Sequence, residues 1–263
     1  MQKLPKRLAS SGAKKIRRRL ESISAGKVLD VATGDGDFIH TLMKTLKDYR
    51  SFVGIDASKK QVKAARKRFQ RQRAKIMQMN GAALKFENGC FNTVCISHSL
   101  HHLDRVDKVL AEMKRALKPG GLFIIQEMYR DGEQTEAQKT DILVHHWQAK
   151  IDSLLGFNHS ETSTKQKITD TVASLRLKES EIFESACYVK CLFCKQRFEC
   201  GDPKNETIIN RSIEEIEDNM RRLEEDPDLK MHIGLREEGE KLKERIRKFG
   251  SAPASHLFYI GRK

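Results

Sequence analysis

The amino-acid sequence of 263 residues predicts an α/β fold, in which a mostly parallel sheet of seven strands is covered by helices on both faces. Two observations lead to this prediction. Short apolar runs alternate with amphipathic stretches along the chain, which is the order expected of strands and helices in a parallel sheet. The first apolar run also breaks into an acidic turn with two glycines, at residues 28–38, and such turns typically join a buried parallel strand to a ligand-binding helix.

The apolar runs place seven strands near residues 27–32, 51–56, 74–79, 92–98, 121–127, 181–187 and 255–261. The helix before the fifth strand has the clearest pattern. Asp104 is expected to cap this helix, with Asp107 in its first turn, and the run Lys118-Pro119-Gly120-Gly121 is expected to end it. Its apolar stripe consists of Val106, Val109, Leu110, Met113 and Leu117.

Two helical insertions are predicted outside this alternating core, one after strand five and one between strands six and seven. The first contains a helix over residues 133–156 and a second helical stretch around 163–176. Leu143, Trp147, Ile151 and Leu154 are expected to share one face of the longer helix. The second insertion, residues 201–250, is dense in charge, which favours a solvated cover or a dimer surface over a role in substrate binding.

The turn after the first strand distinguishes between two kinds of nucleotide ligand. A dinucleotide site needs three glycines, so that a pyrophosphate can lie on the helix N-terminus, whereas here Gly34 and Gly36 are followed by Asp37. An acid at this position would repel a pyrophosphate but suits a cationic ligand without phosphate. Asp56 ends the second strand about 20 residues later, where a carboxylate can accept hydrogen bonds from both hydroxyls of a ribose.

On these residues the chain resembles the class I S-adenosylmethionine-dependent methyltransferases of small-molecule type, with a core similar to the quinone-biosynthesis enzymes. Three further segments carry the resemblance, namely residues 80–92, 94–103 and 117–125. The resemblance implies a Rossmann-like sheet closed by an antiparallel last strand at residues 257–260. It also implies methyl transfer from S-adenosylmethionine to a small organic acceptor by direct in-line displacement.

The resemblance also implies roles for individual residues. Asp30, Ala32, Gly34 and Gly36 would hold the methionine portion of the cofactor, Asp56 the ribose, and Ala57, Asn80 and Gly81 the adenine, with Ser97 also assigned to the cofactor site. Asn80 and Asn92 stand where related proteins commonly have acids. The substrate is assigned to Tyr129, His146 and Trp147, within or beside the first insertion.

Three histidines are candidates for a catalytic base. His98, His101 and His102 lie at and after the carboxyl end of the fourth strand, where open α/β sheets bind ligands. A near-neutral imidazole there could deprotonate an acceptor hydroxyl, thiol or carbon acid. The alternative is that these rings pack the turn into the next helix, because alignment with an already activated methyl group can provide much of the rate without a base.

Four cysteines form a second candidate site, here called the cysteine patch: Cys187, Cys191, Cys194 and Cys200. Cys191 and Cys194 have the spacing of metal-ligand pairs, but a second close pair is missing. Zinc or another soft metal, a thiol patch near the acceptor and a set of plain reduced cysteines remain open. A bound metal is not favoured.

A formal net charge of +14 and a pI near 9.5 also allow a nucleic-acid partner. Only 6% of the residues are aromatic, and Ser97-His98-Ser99-Leu100 lacks the Asn/Asp-Pro-Pro-Tyr/Phe pattern of methyltransferases that act on base amino groups. A small-molecule acceptor is therefore favoured, with RNA as the alternative. A regulator that binds the cofactor without turnover is a further alternative.

Composition predicts a cytoplasmic protein with reduced thiols. Charged residues make up 33% of the chain, no apolar run reaches membrane-spanning length, and the basic first twenty residues lack the apolar stretch of a secretory signal. A homodimer through the helical insertions is possible. The expected divisions are a basic N-terminal segment (1–26), the cofactor-binding core (27–128), a helical lid (129–178), the sixth strand with the cysteine patch (179–200), the charged insertion (201–254) and the last strand (255–263).

Overall fold

The computed structural model describes residues 6–70, 74–186, 202–225 and 232–263. Its strands are β1 (Lys27–Val31), β2 (Ser51–Asp56), β3 (Ala74–Gln78), β4 (Phe91–Ser97), β5 (Leu117–Met128), β6 (Lys178–Ser185) and β7 (His256–Arg262). Its helices are α1 (Lys6–Glu21), α2 (Asp37–Thr45), α3 (Lys59–Arg68), α4 (Val106–Ala116), α5 (Glu136–Leu154), α6 (Lys165–Ser174), α7 (Glu206–Glu225) and α8 (Ile233–Phe249). A short 3₁₀ turn, Leu100–His102, precedes α4.

The seven strands form one sheet in the order β3-β2-β1-β4-β5-β7-β6. Strands β1 to β5 pair in parallel, and β7 runs antiparallel between β5 and β6. The predicted sheet, including its antiparallel last strand, is confirmed. The strand order reverses between β1 and β4, and the carboxyl edge beside such a reversal is where open α/β sheets bind ligands.

Two hydrophobic cores cover the faces of the sheet. On β1, Val28 and Leu29 point to opposite faces, as alternate residues of a strand must. Leu29 joins the core that α4 and α6 complete, whereas Val28 joins the core under α1, α2 and α3. Both faces of the central strands are therefore buried, which explains their nearly continuous apolar sequences.

The two insertions pack together and form a third core. Helices α5, α7 and α8 bury Val144, Trp147 and Ile151 against Leu223 and Ile246, among others. The predicted face of α5 is corrected at its ends, because Leu143 and Leu154 are 42% and 48% exposed. The second insertion is likewise more than a solvated cover, since it supplies more than half of the residues in a shared apolar core.

Two expectations about α4 are also corrected. The helix begins at Val106, and Arg105 occupies its N-cap position without a side-chain capping bond, so Asp104 does not cap it. The run Lys118-Pro119-Gly120-Gly121 ends the helix but already belongs to β5, where it coincides with a shift in the β4–β5 register. The Gly120 N–H donates to the Lys263 carbonyl at 2.9 Å, which holds this irregular start against the end of β7. Across the described ranges, every helix falls short of the length and apolarity that crossing a membrane requires.

Candidate functional site

A cavity of about 1120 Å³ opens at the carboxyl ends of β1, β2 and β4. Eight of the nine residues assigned to the cofactor lie on its wall: Asp30, Ala32, Gly34, Asp56, Ala57, Asn80, Gly81 and Ser97. They come from separate segments of the chain, and parallel strands bring those segments to one edge.

The turn after β1 that contains Gly34 and Gly36 is here called the glycine turn. Asp56, at the end of β2, holds this turn in place. Its Oδ2 accepts a hydrogen bond from the Gly34 N–H at 2.9 Å, and its Oδ1 accepts one from the Ser58 N–H at 2.8 Å. Ala32 and Gly34 have φ values of 53° and 54°, so the turn follows a left-handed path that places main chain at the cavity wall. A Cβ added at Gly34 would meet no heavy atom within 4 Å, which leaves open space for a ligand beside bare backbone.

Gly36, the ninth residue, is not among the residues that line the cavity, and its assignment to the cofactor stays a prediction. It is the N-cap residue of α2, with φ of 89°, and a Cβ there would lie 2.2 Å from Cε2 of Phe69. Glycine at this position therefore serves the turn and the packing of the Phe69 ring.

Substitution by alanine is expected to reduce stability at Gly36 and ligand binding at Gly34. Gly36→Ala should lower the free energy of unfolding by about 1–3 kcal/mol, because it combines a strained positive φ with a steric overlap. Gly34→Ala should cost about 1 kcal/mol or less and instead weaken ligand binding, since its Cβ enters open space. Guanidinium unfolding and cofactor titration of both variants check this. Equal loss of stability in the two would contradict it.

The wall of the cavity is rich in acidic side chains. Six aspartates line it (Asp30, Asp35, Asp37, Asp56, Asp104 and Asp152), against three basic side chains (Lys60, Arg105 and Arg222), and Arg68 from outside the lining pairs with Asp35 and Asp37. Burial raises the pKa of Asp30 to about 7, although hydrogen bonds from Thr33 and Cys95 partly oppose this rise. A cationic ligand would favour the charged carboxylate. The acidic wall, the ribose-type acceptor at Asp56 and the open space at Gly34 fit S-adenosylmethionine, which is cationic at sulfur.

The three residues assigned to the substrate, Tyr129, His146 and Trp147, do not line the cavity, so the structure does not bring them to the cofactor residues. Trp147 is fully buried in the core of the insertions, where its Nε1–H donates to the Leu235 carbonyl at 2.8 Å. Tyr129 donates its hydroxyl proton to Glu184, and a ring nitrogen of His146 lies 2.8 Å from Oγ1 of Thr162. Each side chain thus has a structural partner away from the wall.

Other residues of the insertions reach the cavity instead. The wall includes Asp152, Leu155, Phe157, Asn158 and His159 from the end of α5 and the following loop, and Arg222 from α7. Arg222 donates to Oδ1 of Asp152 at 2.5 Å, which joins the two insertions at the wall. Sequence analysis missed these residues because their approach depends on how the insertions pack, and no local motif marks them.

The three candidate bases take different places. His98 and His102 line the cavity, whereas His101 does not. His98 has a φ of 48°, and its Nε2 lies 3.0 Å from Nε2 of Gln126. His101 is buried, and its Nδ1 lies 3.0 Å from Oε1 of Glu127.

A group of four histidines, here called the histidine cluster, lies beside the cavity: His101, His102, His145 and His159. One ring nitrogen from each lies within 4.8 Å of one from every other. Nε2 of His145 is 3.0 Å from Nε2 of His101 and 3.1 Å from Nε2 of His159. Burial and the neighbouring imidazoles lower the pKa of His102 to about 3 and that of His145 to about 2, so both rings are neutral near pH 7.

Two carboxylates contact the Nδ1 atoms of His101 and His159 in this cluster. Glu127 binds His101, and Oδ2 of Asp152 lies 2.7 Å from Nδ1 of His159. Burial by itself would raise the pKa of both acids, but His101 lowers that of Glu127, and His159 and Arg222 lower that of Asp152, to below their ordinary values. The cysteine patch, Cys187, Cys191, Cys194 and Cys200, lies outside the described residues.

Comparisons with known proteins find similarity in the core of the chain. Residues 29–125 match the family model described as a methyltransferase domain. A ubiquinone/menaquinone biosynthesis C-methyltransferase, UbiE, from Desulfotalea psychrophila is 38% identical over 97 residues, which are 37% of this chain and 39% of that protein. This chain therefore aligns with only about two fifths of that relative's length.

Solved structures agree with the fold across nearly the whole chain. An S-adenosylmethionine-dependent methyltransferase from Archaeoglobus fulgidus superposes with a TM-score of 0.52 at 14% identity, covering 97% of this chain and 94% of that one. The [4+2]-cyclase SpnF superposes with a TM-score of 0.58 at 12% identity, covering 95% and 80%. At these identities the likeness concerns the fold alone, and the cyclase illustrates that one fold serves more than one reaction.

Proposed function

We propose, from the match of residues 29–125 to a methyltransferase domain, that the chain is a class I S-adenosylmethionine-dependent enzyme that transfers a methyl group to a small organic acceptor. The observation that carries the proposal is the acidic cavity at the carboxyl edge of β1, β2 and β4. Residues from each cofactor motif meet there, beside a wall built by the insertions.

The cofactor, when bound, supplies a methyl group already activated by its positive sulfur. The residues of the chain then have to bind, orient and exclude water. Asp56 accepts hydrogen bonds from the ribose hydroxyls, the Gly34 turn leaves room along the backbone, and the other aspartates favour the cation. Orientation of the acceptor against this methyl group provides much of the rate, so a protein base is optional.

The insertions provide the acceptor end of the cavity in this proposal. Leu155 and Phe157 offer apolar surface, and Asn158 and Arg222 offer polar groups, all on the same wall. Phe157 is 63% exposed, which suits a side chain that closes over a ligand. We therefore assign residues 129–178 to a lid and residues 201–254 to its support.

The acceptors to test first are demethylated quinols. The matched relative is named for C-methylation in ubiquinone and menaquinone biosynthesis. A ring of that kind needs both the apolar and the hydrogen-bonding surface that Leu103, Leu155, Phe157 and Asn158 provide.

Calorimetry followed by transfer of a labelled methyl group tests the proposal. S-adenosylmethionine and its demethylated product should each bind in one equivalent, and label should move to a demethylated quinol or to a compound in a metabolite extract. Absence of cofactor binding would refute the proposal. Total RNA forms the control arm, because α3 is strongly basic, with six Lys or Arg among its ten residues. Label in RNA, with binding that falls steeply as salt rises, would favour the RNA alternative.

A further inference from the structure

The histidine cluster contains a contact that its imidazoles do not satisfy by themselves. Carboxylates face Nδ1 of both His101 and His159, which leaves Nε2 of each ring to face His145. Nε2 of His145 lies about equally close to both of these Nε2 atoms. A ring nitrogen offers, in the plane of its ring, either one N–H or one lone pair. Nε2 of His145 therefore satisfies only one of the two short contacts by a hydrogen bond, whereas a metal ion among the three nitrogens would satisfy both.

We propose that the histidine cluster binds one divalent transition-metal ion through Nε2 of His101, His145 and His159, with His102 as the fourth ligand. Zinc bonds to histidine nitrogen at about 2.0–2.1 Å in a tetrahedral arrangement, which separates ligand nitrogens by roughly 3.3 Å. The separations of 3.0 and 3.1 Å in the cluster are close to this value. Neutral imidazole nitrogens select Zn²⁺, Co²⁺, Ni²⁺ or Cu²⁺ over Mg²⁺ and Ca²⁺, which prefer oxygen.

The surroundings of the cluster match those of metal-binding histidines. Such histidines usually donate their other ring N–H to a carboxylate, which orients the ring and strengthens the ligand. Glu127 does this for His101 and Asp152 for His159. Glu127 is buried and, among the described residues, takes its hydrogen bonds from backbone N–H groups and His101 rather than from Lys or Arg. Its negative charge is thus available to balance a cation.

The position of the site connects it to the cavity. His102 and His159 belong both to the cluster and to the cavity wall, close to the residues that we assign to the acceptor. An ion in the cluster would lie at the acceptor end, and none of its proposed ligands is a residue assigned to the cofactor. Metal binding and cofactor binding can therefore be measured separately, and failure of one leaves the other intact.

Metal titration of untagged protein, stripped with a chelator, tests the site. One equivalent of Zn²⁺ should bind in calorimetry, and Co²⁺ should give the visible d–d absorption of a four-coordinate ion without thiolate charge-transfer bands. His145→Gln should weaken binding at least 100-fold, and Asp152→Asn about 10–100-fold through loss of the outer contact. His146→Gln is the matched control, because it changes the next residue of α5, whose ring contacts Thr162, and should leave binding unchanged.

Three results would overturn the proposal. Wild-type protein could bind neither Zn²⁺ nor Co²⁺, in which case the cluster is a network that shares protons. His145→Gln and His146→Gln could lose binding equally. Alternatively, thiolate bands could appear and Cys191→Ser, not His145→Gln, could abolish binding, which would assign the ion to the cysteine patch. Circular dichroism of each variant separates loss of ligand from loss of fold, and Asp152→Asn provides the test if His145→Gln does not fold.

Discussion

Asp56→Ala is expected to weaken S-adenosylmethionine binding by about 2–4 kcal/mol, the scale of losing charged hydrogen bonds in a partly buried site. Two effects add in this variant. The ribose loses its carboxylate acceptor, and the Gly34 and Ser58 N–H groups lose the partner that holds the glycine turn. Calorimetry with the demethylated cofactor, which cannot react, measures the change.

Two further variants identify the cause of that loss. Asp56→Asn keeps the shape and one acceptor oxygen and should recover part of the affinity. Asp104→Ala removes another of the six cavity aspartates but leaves the glycine turn intact. The change in affinity of this variant therefore measures the effect of removing one negative charge from the cavity wall. If Asp56→Ala and Asp104→Ala weaken binding equally, Asp56 has no specific role toward the ribose.

Glu127→Ala is expected to lower the free energy of unfolding by about 3–5 kcal/mol, because several buried hydrogen-bond donors lose their shared acceptor. The Glu127 carboxylate accepts hydrogen bonds from the backbone N–H groups of Ser99, Leu100 and Met128 and contacts Nδ1 of His101. Its removal leaves several buried donors without an acceptor. Guanidinium unfolding of metal-free protein measures the loss without any contribution from a bound ion.

The pH dependence of this loss has a definite sign. The pKa of Glu127 in the folded protein is below the ordinary value of 4.5, so its charge stabilises the fold above about pH 4.5. That contribution disappears as the pH falls through the lowered pKa. The difference between wild type and Glu127→Ala should therefore be constant near neutral pH and narrow in acid. A difference that widens in acid would contradict a stabilising carboxylate.

The sheet was predictable from the sequence, and so was the meeting of most of the residues assigned to the cofactor at one cavity. The central strands β1, β2 and β4 are short apolar runs, and Asp30, Gly34 and Asp56 stand at or just after strand ends. These signals are local, and parallel pairing then has one consequence: the carboxyl ends of the strands meet at the same edge. Gly36 is the exception among the nine residues, because it does not line the cavity. Its sequence context matches that of Gly34, and only the approach of Phe69 distinguishes the two.

Only the tertiary structure decided which residues of the insertions reach the cavity and that four histidines form a cluster. Helical periodicity could not choose between Leu143 and Val144 for the buried face of α5, because that face is set by where α7 and α8 pack. The cluster joins His101 and His102, beside β4, to His145 on α5 and His159 in the loop after it. Such a group has no sequence motif, since the spacing between its members is set by packing. The direction of each ring nitrogen, in turn, is set by carboxylates from two other parts of the fold, Glu127 and Asp152.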